Sequence, residues 1–158
     1  MNLFVLNLLL ALVWAVLVAE LSPASFFFGY VFGYAALWLA QPVLGGPNSY
    51  FLRVWRILRL AAFFIYELFL SSLRVAWDVA TPGTGSVPDI IELPLDVQSD
   101  LEIMLFSNLI SLTPGTLSLD VTEDRKTLYI HAMFADDPKA LVAELKAGME
   151  RMVLEVFE

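Results

Sequence analysis

The chain has 158 residues, of which 59% are hydrophobic and only 16% charged, whereas a soluble domain carries about 45–50% apolar and about 25% charged residues. Its net charge of −8 conceals two unlike parts: residues 1–77 hold four arginines against two acids, and residues 78–158 hold fifteen acids against five bases. The absence of cysteine and a single histidine exclude disulfides, thiol nucleophiles and Cys- or His-based metal sites, and the acidity excludes nucleic acid as a partner.

Residues 3–19 form an apolar run broken only by Asn7. As a helix it reaches about 26 Å, just short of a ~30 Å hydrocarbon core. No Lys or Arg precedes it and no small-x-small cleavage pattern follows, which argues against a cleaved signal peptide. Glu20 to Ala24 make a short polar turn, with Pro23 ending helical continuity. A second apolar run, residues 25–41, contains Gly29 and Gly33 at a G-x-x-x-G spacing that lets another helix approach closely. That helix is the first run or, alternatively, one from another protein or a second copy. Pro42, Gly45, Gly46 and Pro47 then break the chain. Residues 1–50 thus read as a transmembrane helical hairpin with both ends on one side. The 20–24 loop has no positive charge and Arg53, Arg56 and Arg59 follow the hairpin, so the positive-inside bias puts both ends in the cytoplasm.

Residues 51–80 predict a third, strongly sided helix. At ~100° per residue, Arg53, Arg56, Arg59, Glu67, Ser71, Arg74 and Asp78 fall within roughly a third of the circumference, and large apolar residues cover the rest. Such a helix lies at the membrane interface or is partly embedded, with its polar stripe against partner proteins. Arg59 and Arg74 are about 21 Å apart along the axis with Glu67 between them, so no clean span of ~20 residues is available. A third true span, which would put the acidic half outside, is the alternative.

Residues 81–88 are a Pro/Gly linker, and residues 89–158 read as a small soluble domain of order βαββα. Strand Ile90–Leu95 precedes a helix capped by Ser99 with Glu102 in support, running to about Leu112. Strands Thr116–Val121 and Thr127–Phe134 alternate as a hairpin, the first with Leu117, Leu119 and Val121 on one face. The second turns Leu128, Ile130, Ala132 and Phe134 inward. Asp137 caps a last helix with Pro138 at its first position. The fold class is therefore a membrane protein of α+β type: hairpin, amphipathic third helix, and a small domain that leans on that helix or on partners.

The segment Ser111-Leu112-Thr113-Pro114-Gly115-Thr116-Leu117-Ser118-Leu119-Asp120-Val121, followed by Thr127-Leu128-Tyr129-Ile130-His131, resembles the hallmark of a bacterial family. That family is the E-type subunit (MrpE/MnhE) of the multisubunit Mrp-type (Mnh-type) monovalent cation/proton antiporters, and the resemblance covers essentially the whole chain. It implies a multi-pass protein of the bacterial cytoplasmic membrane with other antiporter subunits as partners, in a complex exporting sodium, or potassium or lithium, against protons.

The residues themselves show no enzyme, cofactor or metal site: no nucleophile–base pair, phosphate loop or ligand cluster occurs. The adjacent Asp136 and Asp137 read as capping. A cation or proton path needs ionisable groups at membrane depth, and the hairpin runs have no acid or base. Glu67 is the one acid that could sit there, and with Ser71 and Arg74 beside it a partner-facing stripe is the preferred account. Thr113-Pro114-Gly115 is a rigid helix-to-strand corner or else a contact to a neighbouring subunit. His131 is a strand histidine or a pH-sensitive contact. The expectation is an accessory, non-catalytic subunit contributing to assembly, with transported ions bound by other subunits. The alternative is a membrane-anchored adaptor whose acidic domain recruits a soluble protein. Candidate contact residues are Gly29, Gly33, Arg53, Arg56, Arg59, Glu67, Ser71, Arg74, Thr113, Pro114, Gly115 and His131.

Overall fold

A computed structural model describes residues 2–43, 49–81 and 86–158. The breaks expected at Gly45, Gly46 and Pro47 and the linker residues 82–85 lie outside the described residues. The chain divides into two compact units, residues 1–55 and residues 56–158.

The first unit holds helices α1 (Leu3–Leu17) and α2 (Pro23–Leu39) and the start of α3 (Ser49–Ala80). The Asn2 side chain caps α1, and Ala19 closes its other end at φ 54°. The chain is broken between α1 and α2, as expected, but Pro23 belongs to α2 and not to the turn: Ser22 caps α2 by accepting from Ser25 N, and proline fits the first turn because no N–H is required there. The inward ridges repeat every four residues, Leu3, Asn7, Ala11 and Ala15 on α1 against Ser25, Gly29, Gly33 and Leu37 on α2. Small residues bring the backbones close, and the bulky ones, such as Leu9, Leu12, Phe27 and Phe28, remain exposed. The first turn of α3 completes this unit, with Phe51 packed on Leu3 and Leu37.

Among the described residues α3 is the one helix long and apolar enough to cross a membrane by length and composition. It runs for 32 residues.

The second unit contains the rest of α3 and a sheet of three antiparallel strands in the order β1-β3-β2 (Asp89–Pro94, Thr127–Ala132, Thr116–Val121). Helix α4 (Asp100–Leu112) starts at a complete capping box formed by Ser99 and Glu102. Asp137 caps α5 (Pro138–Leu145) through Lys139 N and Ala140 N. A π turn (Lys146–Glu150) then leads without a break into α6 (Arg151–Phe157). The core gathers Ile91 and Leu93 of β1, Leu128 and Ile130 of β3, Phe106 and Ile110 of α4, and Met149 and Val153. Leu60 of α3 is part of that core, and Phe63 and Phe64 pack against it.

Strand β2 departs from the expected alternation. A bulge between Ser118 and Asp120 shifts the register against β3, so Leu117, Leu119 and Val121 do not share a face. Val121 packs on the core while Leu117 and Leu119 are about half exposed. Ser118 turns to α4, where its Oγ donates to Ser107 O at 2.9 Å and its N–H to Ser111 Oγ at 3.1 Å. The extra residue of a bulge re-aims the side chains beyond it. Phe134 falls beyond the end of β3, where it forms an isolated parallel bridge with Val87.

Candidate functional site

The polar stripe of α3 meets residues of this chain's own C-terminal unit. Arg59 Nη1 lies 3.0 Å from Glu155 Oε2, and Arg56 Nη2 lies 3.6 Å from Glu158 Oε2. Glu155 is also reached by Arg151, four residues earlier on α6, at 3.3 Å. Arg53 belongs to the first unit and is exposed.

More than two turns further along α3, Glu67, Ser71 and Arg74 line a cavity of about 100 Å³ together with Thr113, Pro114 and Gly115. The structure therefore brings together six of the residues singled out in the sequence. Its apolar lining comes from Phe63, Ile110, Phe134, Leu141, Leu145 and Met149, and α5 adds a second carboxylate, Glu144. The Glu67 carboxylate is close enough to feel the charges of both Glu144 and Arg74. The Ser71 hydroxyl is turned back onto its own helix, donating to Glu67 O at 2.6 Å.

The Thr113-Pro114-Gly115 corner is held from within. Thr113 Oγ1 donates to Leu109 O at 2.9 Å, and Thr116 Oγ1 donates to Ile110 O at 2.7 Å. The Thr113 hydroxyl thus serves a carbonyl near the end of α4, and the Ile110 carbonyl also accepts Thr113 N at 3.0 Å. Gly115 adopts φ 91°, a conformation L side chains rarely reach, and its carbonyl accepts Met133 N at 2.7 Å. The corner therefore sets the entry of β2 as well as one wall of the cavity.

The other singled-out residues lie elsewhere. Gly29 and Gly33 face α1: a Cβ on Gly29 would meet Trp14 Cβ at 2.8 Å and Ala11 O at 2.9 Å, and one on Gly33 would overlap Asn7 Oδ1. His131 stands on β3 between Ile90 of β1 and Leu117 of β2, outside the cavity lining.

Three features were not read from sequence. Glu144 carries no local signal of its place in the cavity. Asn7, fully buried, donates from Nδ2 to the Tyr50 hydroxyl at 3.0 Å, and Tyr50 and Tyr30 hydroxyls are 2.8 Å apart. The one polar break in an apolar helix is the signal that could have marked it. Glu150 is 1% exposed, yet its Oε1 accepts Asp96 N at 2.6 Å and Val97 N at 3.2 Å, and Lys146 Nζ reaches Oε2 at 3.1 Å. Burial alone would lower the Lys146 pKa; its hydrogen bonds to Asp96 and Glu150, and their charges, outweigh this and raise it. The Glu102 pKa is lowered by hydrogen bonds from the backbone N–H groups of Ser99 and Gln98.

The cavity offers two carboxylates and one guanidinium in a largely apolar setting, with no nucleophile–base pair. Among the described residues no group of three His, Asp or Glu side chains could hold a metal ion.

Residues 7–156 match a family model described as MNHE, Na+/H+ ion antiporter subunit. The chain is 34% identical over 151 residues to the E subunit of the Na(+)/H(+) antiporter of Alkalihalophilus pseudofirmus, covering 96% of this chain and 95% of that one. It is 33% identical over 154 residues to the E1 subunit of the Na(+)/H(+) antiporter of Staphylococcus haemolyticus, covering 98% and 96%. Among solved structures it resembles a chain of the Mrp complex from Dietzia sp. at 29% identity and TM-score 0.51, over 65% of this chain and 96% of that one. It shares its fold with a chain of an archaeal membrane-bound sulfane sulfur reductase at 22% identity and TM-score 0.59, over 98% of both.

Proposed function

We propose, since the chain belongs to the MNHE family of Na+/H+ ion antiporter subunits, that it is an accessory, non-catalytic subunit of a multisubunit antiporter. It contributes to assembly and stability of the complex, and the transported cation and proton are bound by other subunits. The chemistry of the hairpin carries this reading. Helices α1 and α2 contain no Asp, Glu, Lys, Arg or His, whereas ion translocation needs several coupled ionisable groups at membrane depth. Asn7, the polar residue of α1, already bonds Tyr50 and is packed against Gly33.

The hairpin lies in the bacterial cytoplasmic membrane, a reading supported by the exposed apolar side chains along α1 and α2. The C-terminal domain is cytoplasmic, because Arg53, Arg56 and Arg59 follow the hairpin and the α1–α2 turn has no base. Exposed Ile90, Leu117 and Leu119 on the sheet favour a second reading, an adaptor that recruits a soluble protein.

Purification of the tagged chain from its native membrane in mild detergent tests the two. Recovery with other hydrophobic antiporter subunits supports the accessory role, and recovery with one soluble protein supports the adaptor. In the assembled complex, Glu67→Gln lowers recovery of the complex and leaves the apparent Na+ affinity unchanged. Normal recovery with a shifted Na+ or proton affinity would move Glu67 into the ion path.

A further inference from the structure

We infer that α3 lies along the bilayer surface rather than across it, with Trp55, Leu58, Ile65, Phe69, Leu73 and Trp77 sunk in lipid and the C-terminal domain carried on the opposite face. This rests on the hairpin being resident in the membrane. The six side chains recur at three-, four- and seven-residue steps, so they form one stripe, and each is more than half exposed. The face opposite the stripe is covered: Leu60 is in the domain core, Phe63 and Phe64 pack on it, and Arg56 pairs with Glu158. The charge nearest the stripe's border, Arg59, is held by Glu155.

Two observations select lipid as the occupant. First, α3 is tied to the hairpin at its start: the Tyr50 hydroxyl bonds Asn7 and Tyr30, and Phe51 packs on Leu3 and Leu37. Leu3 and Leu37 sit at the end of the hairpin where α1 begins and α2 finishes, which is the level of the membrane surface for a hairpin in the bilayer. Second, charge is sorted. Helix α3 carries four arginines against Glu67 and Asp78, whereas the domain beyond it is strongly acidic. Anionic headgroups repel that acidic domain, and two of the α3 arginines, Arg56 and Arg59, are already held by its acids Glu158 and Glu155, so the domain sits on the water side. A spanning α3 would draw its ion pairs, and α6 with them, into hydrocarbon, where charged groups are disfavoured.

The chain contains no cysteine, so a single introduced cysteine carries a unique spin label. The full chain is reconstituted in phosphatidylethanolamine–phosphatidylglycerol vesicles, with labels at Leu58→Cys, Ile65→Cys, Phe69→Cys and Leu73→Cys. Leu9→Cys reports the hairpin and Glu123→Cys reports water. The expected result is accessibility to oxygen over a water-soluble nickel reagent at all four stripe positions, at one shared depth of about 5–10 Å below the headgroups. A depth that rises and falls along the helix would establish a span. Preference for nickel would put the stripe in water, and poor access to both reagents would mean that protein or a second copy covers it; each of these overturns the inference. If Leu9→Cys is in lipid while the stripe is not, only this inference fails. If Leu9→Cys is itself in water, membrane residence fails with it.

Discussion

Gly33 of α2 rests directly on the Asn7 side chain of α1, with no room between them for a methyl group. Gly29, one turn earlier, rests instead on Trp14 Cβ and the Ala11 backbone. The two glycines therefore differ in what a substitution must displace. Gly33→Ala strains a side chain, and Asn7→Ala removes the obstacle; Gly29→Ala meets Trp14 Cβ and the Ala11 backbone, neither of which Asn7→Ala touches. Overpacking of this kind costs about 1–3 kcal/mol. Thermal unfolding of the full chain in detergent should show Gly33→Ala destabilised and largely rescued by Asn7→Ala, and Gly29→Ala destabilised in both backgrounds. Equal rescue of both would mean that the helices slide, and that the contacts described for Gly29 are not the ones that matter.

The Arg59–Glu155 pair joins α3 to α6 at 3.0 Å, with Arg59 about half exposed. An exposed pair contributes only about 0–1 kcal/mol, so Arg59→Ala should change stability little. Arg59→Glu puts two carboxylates together beside Glu155 and should weaken the docking of α3, seen as faster protease cleavage between α3 and β1. The exchange Arg59→Glu with Glu155→Arg in the same chain should restore protection. Failure of the exchange, with restoration only by a charge change on another protein of the complex, would assign Arg59 to an intersubunit contact.

Lys146 is the counterion of a carboxylate that has almost no access to water. Lys146→Met leaves Glu150 buried with its two backbone donors alone, a loss of about 1.5–3 kcal/mol for a charged hydrogen bond. Glu150→Gln keeps one acceptor oxygen for Asp96 N and Val97 N and should cost less. If urea unfolding of the full chain in detergent ranks the two variants the other way, the hydrogen bonds from Asp96 N and Val97 N to the charged carboxylate matter more than the ion pair.

The same group predicts an alkaline limit. Its folded-state pKa is raised, so its contribution is complete below the unfolded lysine value of about 10.4 and disappears as pH climbs through the raised folded value. Glu102 has the opposite sign: its pKa is lowered, so its contribution is complete above the unfolded value of about 4.3 and disappears as pH falls through the folded one. Melting temperature against pH should fall at both ends, with the alkaline fall reduced in Lys146→Met and the acid fall reduced in Glu102→Gln. An unchanged alkaline limb in Lys146→Met would assign that limb to other groups.

A Cβ on Gly115 would make ordinary van der Waals contact with Phe134 and Val75 carbons at 3.6 Å. Only its φ of 91° objects. Gly115→Ala should therefore destabilise by about 1–3 kcal/mol through backbone strain, and Gly115→Asn by less, since asparagine tolerates positive φ best among non-glycine residues. Equal effects of the two in thermal unfolding would point to packing against Val75 in place of strain.

Features decided by neighbours in sequence were legible before any coordinates. The Ser99–Glu102 capping box, the Asp137 cap with Pro138 behind it and the start of β2 after Gly115 all depend on residues within a few positions of one another. Features decided by long-range packing were not. The bulge in β2 leaves no mark on an alternating string, so Leu117, Leu119 and Val121 read as one face. The stripe of α3 was visible as a stripe, but its angle says only that something polar must cover it. Here Glu155 and Glu158, about a hundred residues away in sequence, meet Arg59 and Arg56. Glu144 joined the cavity for the same reason, since tertiary packing sets which face of a short helix turns toward Glu67.

The π turn at Lys146–Glu150 amounts to one surplus residue in an otherwise α-helical path. Gly148 within it lies against Phe63 of α3, and Met149 and Glu150 beside it are both buried. Removing a residue there would turn everything downstream by about 100°. Glu155 would swing away from Arg59, and Val153 and Val156 would leave the core. The terminal helix is thus set like the hand of a dial, and a single insertion fixes the hour at which its acids face the arginines of α3.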